Sequence, residues 1–257
     1  MFDGFIAGKT ILSESLRYDA YNKFDNKFTG KIGLKHIHAA IPGLVTSINY
    51  GTAYNVPTLY NLYDPLYGNK DLTAESTSTF EIAARYKAVK LTYFNSTISD
   101  MIDYNDPDGW TGPIPGAYYN LDGETTLKGV EVEYSNEIVQ DILLTLNYTY
   151  LDAKNNDDKV LARRAKDTYK FGLDYYGIEN FYVGINGEYI GERYNSDDKQ
   201  GAQTGKYAVL NLSTNYTFAK DYLVYLKVDN LADREYQVVD GYATASRSAY
   251  VGIKANF

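Results

Sequence analysis

Few side chains in this sequence have the types and spacing that chemistry needs. His36 and His38 stand two apart, which on an extended strand puts both imidazoles on one face and suggests a pair of metal ligands. No third ligand stands near them, so a place in a strand wall or at its rim is the favoured reading. Glu131 and Glu133 share a strand face with Gly129, and paired carboxylates are the machinery of a glycosidase. Carboxylates are also ordinary on any wet strand face, and no catalytic role is assigned to them. Asp152, Asn155, Asn156, Asp157 and Asp158 offer hard oxygens to calcium but lack the spacing of a calcium loop, and Asp197-Asp198 is treated alike. There is no Ser-His-acid set in a supporting context and no glycine loop that would cradle a phosphate. The remaining candidates are Tyr60, Tyr63, Tyr67 and Trp110, in two long proline-containing loops where aromatic faces can pack on an organic ligand. The expectation is ligand binding at those four residues, with no catalytic residue, metal or cofactor.

The elements that must hold these loops are extended. Near the end of the chain, Val251, Ile253, Ala255 and Phe257 fall on one face of a strand, and Tyr250, Gly252, Lys254 and Asn256 on the other. Tyr222, Val224, Leu226 and Val228 alternate with Leu223, Tyr225, Lys227 and Asp229 in the same way. Similar runs begin near Ile11, Lys27, Leu44, Phe80, Val89, Tyr118, Ile142, Tyr169, Phe181 and Ala208. This predicts about twelve strands of roughly 9–14 residues, long enough to cross a bilayer when tilted. Between them, long polar segments (53–77, 105–117, 152–166, 191–205, 231–246) alternate with short turns at 87–88, 136–141, 176–180 and 219–221. That alternation is the pattern of a transmembrane antiparallel β-barrel with short periplasmic turns and long extracellular loops.

Composition agrees. Twenty-eight Tyr against 10 Phe and one Trp favour surfaces that pass from apolar to wet, such as aromatic girdles and binding mouths. A mean hydropathy of −0.40 fits a barrel, because half of each spanning strand faces a polar lumen. The formal charge of −8 argues against a nucleic-acid partner, which needs a basic surface. The absence of cysteine excludes disulfides and thiolate metal sites. The start of the chain carries no secretory signal, so an exported barrel beginning here reads as a truncated form.

Specific residues then point to a family. Tyr50-Gly-Thr-Ala-Tyr-Asn-Val-Pro-Thr-Leu-Tyr60 and Tyr67-Gly-Asn-Lys-Asp-Leu-Thr-Ala-Glu75 resemble the "yGtgfraPtl…Ly…GNpdLkPE" signature of TonB-dependent outer-membrane receptors. Leu127-Lys-Gly-Val-Glu-Val-Glu133, Val228-Asp-Asn-Leu-Ala-Asp-Arg-Glu-Tyr236 and Arg247-Ser-Ala-Tyr-Val-Gly252 follow in order. Tyr54-Asn55 and Thr73-Ala74 depart from the signature. The resemblance implies that residues 1–257 are the carboxy-terminal portion of a barrel of about 22 strands, without the plug domain. It implies a Gram-negative outer membrane, with lipid, lipopolysaccharide and the barrel-assembly machinery as partners, and Val251, Ile253 and Phe257 as the assembly signal. It further implies cobalamin or a ferric siderophore as ligand, with a slight lean to cobalamin, and TonB engaged only through the missing plug. Such a fragment is expected not to transport alone. The alternatives are a self-closed twelve-strand outer-membrane pore or enzyme, and a soluble β-rich binding module.

Overall fold

The computed structural model describes residues 7–105, 116–219 and 221–255. Long strands form wherever apolar and polar residues alternate: β1 (Gly8–Asp19), β2 (Lys27–His38), β3 (Leu44–Asn55), β4 (Glu75–Tyr86) and β5 (Val89–Ser99). After a small hairpin, β6 (Ile102–Asn105) and β7 (Ala117–Asn120), they resume with β8 (Glu124–Val139), β9 (Ile142–Lys154) and β10 (Asp167–Ile178). The last are β11 (Phe181–Ile190), β12 (Tyr207–Phe218), β13 (Tyr222–Asp229) and β14 (Ser248–Ala255). Twelve strands pair in the order β1-β2-β3-β4-β5-β8-β9-β10-β11-β12-β13-β14, and β6 pairs only with β7. The fold is therefore all-β and almost wholly a meander, with one short helix among the described residues, α1 (Leu59–Tyr63).

The chain divides into two units. The first gathers β1 to β3, most of β4 and β5, the β6–β7 hairpin and the start of β8. Its registers place Leu12 opposite Leu34, Tyr18 opposite Phe28, and Ile32 opposite Tyr50. One face of this part is thus apolar, and Tyr18 and Phe28 bring their ring centres to 4.6 Å. Ser13, Gly33 and Asn49 meet on the other face.

The second unit holds most of β8 and β9 and all of β10 to β14. Leu144, Leu173, Ile185, Leu212, Val228 and Ala249 line up across six strands. A row of Tyr148, Tyr169 and Tyr189 runs beside them toward the loop ends, with centroids 4.7 and 6.1 Å apart. Toward the turn ends, Phe218 stacks on Tyr222 at 5.5 Å. The opposite face is polar: Tyr182 hydrogen-bonds to Asp174, and Asn211 to Asn186. Gly252 makes room there for a ring, because a Cβ at that position would lie far inside van der Waals contact with the Tyr225 Cζ and 2.5 Å from its Cε1.

The apolar faces are uncovered. Leu16 is 77% exposed, Val251 75% and Ile253 70%, values that a water-soluble sheet protein would hide and that lipid contact explains. The few buried apolar residues, such as Leu62, Leu72, Leu121, Leu161 and Tyr207, sit in or beside the loops, so no dry core separates stacked sheets. Among the described residues no helix is long and apolar enough to cross a membrane.

Boundaries differ from the sequence reading in four places. The segment 53–77 is less irregular than expected: β3 continues to Asn55, β4 starts at Glu75, and α1 lies between. The strand resuming near Tyr118 is not part of the large sheet but half of the β6–β7 hairpin. Asn136 and Glu137 are still in β8, leaving only 140–141 as the turn, with Asp141 at φ 63°. Likewise β10 runs to Ile178, and the chain reverses at 179–180 with Asn180 at φ 63°. Polar side chains at the turn end of a strand look like turn residues, yet backbone pairing continues beneath them. Val251 and Ile253 lie on the apolar row opposite Leu226 and Val224; Phe257 lies outside the described residues.

Candidate ligand-binding loops

The loop 56–74 folds because its own side chains close it. Thr58 caps α1, accepting from the Asn61 amide at 3.1 Å, while Asn61 accepts from the Thr58 amide at 2.9 Å. Asp64 ends the helix: its amide donates to the Tyr60 carbonyl at 3.1 Å. Its carboxylate accepts from the amides of Leu66 and Tyr67 at 3.0 and 2.9 Å. Gly68 then passes so close that a Cβ would lie 2.6 Å from the Asp64 backbone nitrogen and oxygen. Leu62 and Leu72 are buried beneath.

The signature residues pin this loop to the β6–β7 hairpin. Glu75 accepts from the Asn55 side chain and from the Ile102 amide, both at 2.7 Å. Asn69 donates to the Tyr118 carbonyl at 3.0 Å, and the Tyr118 amide donates to the Tyr67 carbonyl at 3.1 Å. Asn120 is the main clasp. It accepts from the Thr73 amide at 2.9 Å and donates to the carbonyls of Thr73 at 3.1 Å and Asp100 at 2.7 Å.

Held this way, four rings form a chain. Tyr60 meets Tyr118 edge-on at 6.0 Å, Tyr118 meets Tyr104 at 5.2 Å, and Tyr104 meets Tyr67 edge-on at 5.9 Å. Tyr60 remains 53% exposed, so the ring at the end of the row is open while its backbone is fixed. Desolvation of its hydroxyl, with the Asp64 carboxylate nearby, raises the Tyr60 pKa. Two of the expected residues, Tyr60 and Tyr67, are thus brought together, through Tyr104 and Tyr118, which sequence reasoning missed. Their signal was a pair of Tyr-bearing, alternating flanks around 106–115. Tyr63 points elsewhere: the Lys23 ammonium donates to its hydroxyl at 2.5 Å. That ammonium is also 5.0 Å from the ring centroid, which puts it near the ring plane beyond the oxygen, so the contact is a hydrogen bond and not a cation–π pair. Trp110 lies outside the described residues.

In the second unit three loops lock to one another. The Arg163 amide donates to the Tyr194 carbonyl at 2.8 Å, and Asp197 accepts from the Ala162 amide at 2.6 Å. Asn195 accepts from the Arg163 guanidinium at 3.1 Å and from the Asp240 amide at 3.3 Å. Arg193 reaches the Val238 carbonyl at 3.2 Å. Asn230, 3% exposed with φ 52°, brackets its own loop through the Arg234 amide at 2.8 Å and the Arg234 carbonyl at 2.9 Å. Tyr236 of the same motif stacks on Tyr207 at 4.4 Å. Glu192 receives Lys199 and Lys206, each at 3.1 Å. The Lys206 hydrogen bond, then that from Lys199, lowers the Glu192 pKa, and the same contact raises that of Lys206.

The other sequence candidates have ordinary partners. His36 bonds through Nδ1 to Thr10 at 2.8 Å and His38 to Thr46 at 3.0 Å. Glu133 pairs with Lys90 at 2.6 Å. In the acidic loop Asp152, Asp158 and Asp157 pair with Lys128, Lys154 and Lys159. Asn155 accepts the amides of Asp157 and Lys159. Among the described residues no cluster of three or more His, Asp or Glu is arranged to hold a metal ion.

Comparison with known proteins places this arrangement. The "TonB dependent receptor-like, beta-barrel" family matches residues 6–231. Curated relatives include the "Vitamin B12 transporter BtuB" of Vibrio cholerae serotype O1, 30% identical over an alignment 257 positions long that covers 96% of this chain and 40% of theirs. The chain therefore spans about 40% of the length of these relatives. Among solved structures, the ferric enterobactin receptor PfeA of Pseudomonas aeruginosa superposes with a TM-score of 0.76 at 20% identity, over 96% of this chain and 43% of that one. The siderophore receptor PirA of Acinetobacter baumannii gives 0.75 at 16%, with the same coverage, and the copper transporter OprC 0.75 at 17%, over 91% and 40%. The family match over most of the length, on a twelve-strand antiparallel meander with an uncovered apolar face, means that this chain belongs to the TonB-dependent receptor β-barrel family.

Proposed function

We propose that the receptor containing this barrel portion takes up a scarce nutrient complex, cobalamin or a ferric siderophore, across the outer membrane of a Gram-negative bacterium. The long loops face outward in this reading and the short turns face the periplasm. The aromatic chain Tyr60–Tyr118–Tyr104–Tyr67, presented on a loop clasped by Asn120 and Glu75, is the observation that carries it. An exposed Tyr60 ring backed by three partly buried ones offers binding area at low ordering cost. Cobalamin is favoured, because the relatives at 30% identity are named vitamin B12 transporters, whereas the siderophore receptors are similar at the level of fold. The barrel portion contributes the binding surface and the wall. Energy coupling to TonB belongs to plug-type elements, lipid and lipopolysaccharide surround the apolar face, and Val251, Ile253 and Phe257 are read by the barrel-assembly machinery. No chemistry is performed on the ligand.

The test is uptake by cells that lack their own cobalamin and enterobactin receptors and carry the full reading frame. Accumulation of labelled cyanocobalamin, abolished by excess unlabelled compound, is the expected result. Accumulation of ferric enterobactin alone would move the ligand to the siderophore class, and accumulation of neither would sink the reading.

A further inference from the structure

One charged residue sits where the apolar face of the first unit should hold none. Glu14 is exposed, in phase with Leu12, Leu16 and Tyr18 on β1, and stands opposite Ile32 of β2, which stands opposite Tyr50 of β3. Its diagonal neighbours on that face are Gly30 and Leu34. The ring pair of Tyr18 and Phe28 marks the loop end of this face, and the hydrogen bond between Thr10 and His36 marks its turn end. Glu14 lies four residues from Thr10 and from Tyr18, about 13 Å along the strand at about 3.3 Å per residue, which is beyond the reach of a glutamate side chain. It is therefore near the middle of an apolar band about 25 Å tall. On the paired strands β9 to β14 of the second unit, no charged residue falls on the apolar rows between Tyr148, Tyr169 and Tyr189 at one end and Phe218 and Tyr222 at the other.

A carboxylate at that depth is stable only when a partner offsets the loss of water. Among the described residues no hydrogen bond or ion pair reaches the Glu14 carboxylate, and β2 presents it with apolar neighbours alone. What remains is the other side of β1. That strand ends the sheet order, so its outer edge carries a row of unpaired backbone N–H and C=O groups, which lipid does not tolerate and an added strand satisfies. A strand there brings one side chain directly opposite Glu14, with Cβ atoms about 5 Å apart. Two other occupants fail on charge. Among its described residues β14, the other end of the sheet order, has only Ala249, Val251, Ile253 and Ala255 on its apolar row. A second copy related by an axis along the membrane normal would meet Glu14 with residues of the same depth, such as Ile32, Tyr50 and Glu14 itself. We propose that Glu14 forms an ion pair, in the plane of the membrane, with a lysine or arginine on a receptor strand that adds to the free edge of β1. The pair also sets register, because a slip of two residues would leave both charges bare in lipid. This rests on the outer-membrane reading above.

The full-length receptor in outer-membrane vesicles tests it, with the midpoint of heat-modifiable gel mobility as the readout. Glu14→Leu is expected to lower the midpoint by about 3 °C, because it strands the partner cation, and Glu14→Arg by about twice as much, because it sets like charges together. A bare carboxylate predicts the opposite sign: Glu14→Leu would then extend the apolar row, and an unchanged or raised midpoint would overturn the pair. The unaltered receptor supplies a second measurement that no folding defect can obscure. A lipid-soluble carbodiimide attacks protonated carboxyls in apolar surroundings, so an ionised, paired Glu14 should stay unlabelled at neutral pH when its peptide is weighed; labelling would overturn the pair in favour of a neutral acid. A second-site change that restores the Glu14→Arg midpoint should turn a basic residue of the adjoining strand into an acidic one, and restoration only from outside that strand would overturn the choice of partner. None of these readouts involves cargo. A receptor that carries neither cobalamin nor siderophore would leave the pair standing, whereas one that stays soluble and monodisperse without detergent would defeat the outer-membrane reading itself.

Discussion

The two loop assemblies put similar polar residues to opposite uses. In the second unit, Arg163, Arg193 and Asn195 bind neighbouring loops, and Lys199 and Lys206 share Glu192. These charged and amide side chains find their partners within the assembly. In the first, Asn120 and Glu75 fix the backbone, while among the described residues Lys23, Lys27 and Lys70 have no carboxylate partner and Tyr60 stays half exposed. An assembly that satisfies its own charges is a brace, and one that fixes its backbone while leaving a ring exposed is the geometry that the proposed binding role requires.

The largest expected effects come from removing the amide that organises each assembly. Asn230→Ala strips hydrogen bonds from a side chain that is 3% exposed and leaves backbone groups of the 231–247 loop unmet, a loss of about 3 kcal/mol. Asn120→Ala removes three bonds from a less buried position and should cost about 2 kcal/mol. The midpoint of heat-modifiable gel mobility measures both. The contrast lies in function: Asn120→Ala should expose 56–74 to protease and weaken ligand binding, whereas Asn230→Ala should lower stability and leave affinity unchanged. Equal loss of affinity in both variants would break the distinction.

A smaller effect separates the two sets of rings. Tyr118 touches both Tyr60 and Tyr104, so Tyr118→Ala should lower ligand affinity roughly ten-fold, since a ring pair adds about 1 kcal/mol beyond its area. Tyr236→Ala removes a stack on the buried Tyr207 and should shift the melting midpoint without changing affinity. Titration of intrinsic fluorescence with ligand distinguishes them.

Much of this was legible in the sequence, for a physical reason. A strand between lipid and water must alternate, so Tyr169, Phe171 and Leu173 reveal their strand, its face and its neighbours. The signature around Gly68, Asn69 and Glu75 marked the loop that carries Tyr60 and Tyr67. Its meaning was not legible, because Glu75 acts on Asn55 and Ile102, and Asn69 on Tyr118, across distances in sequence that no local pattern encodes. The grouping of Tyr60 with Tyr118, and of Tyr63 with Lys23, depends on how one short helix is rotated between the hairpin and the first loop. Tyr60 and Tyr63, three apart on α1, look alike in sequence and have different partners.

The smallest effect is the response to pH, and it should appear in one assembly only. The Glu192 carboxylate is held below its usual pKa by Lys206 and Lys199. Its stabilising contribution is therefore present above the ordinary carboxylate range and is lost as the pH falls through the lowered value. Lys206 is raised by the same contact, so its contribution is present below the ordinary lysine range and is lost as the pH rises through the raised value. Between these limits the 191–206 loop is clamped. Both groups are open to solvent, which keeps the gain small and salt-sensitive. Amide exchange should therefore quicken in 191–206 on acidification below the ordinary carboxylate range, and Glu192→Gln should show that faster exchange already at neutral pH. The 56–74 loop is fastened mainly through backbone groups and the amides of Asn69 and Asn120, so it should change less over the same range. A loosening of 56–74 that matched or preceded that of 191–206 would show that its carboxylates, Glu75 and Asp64, govern it more than the amide clasp does.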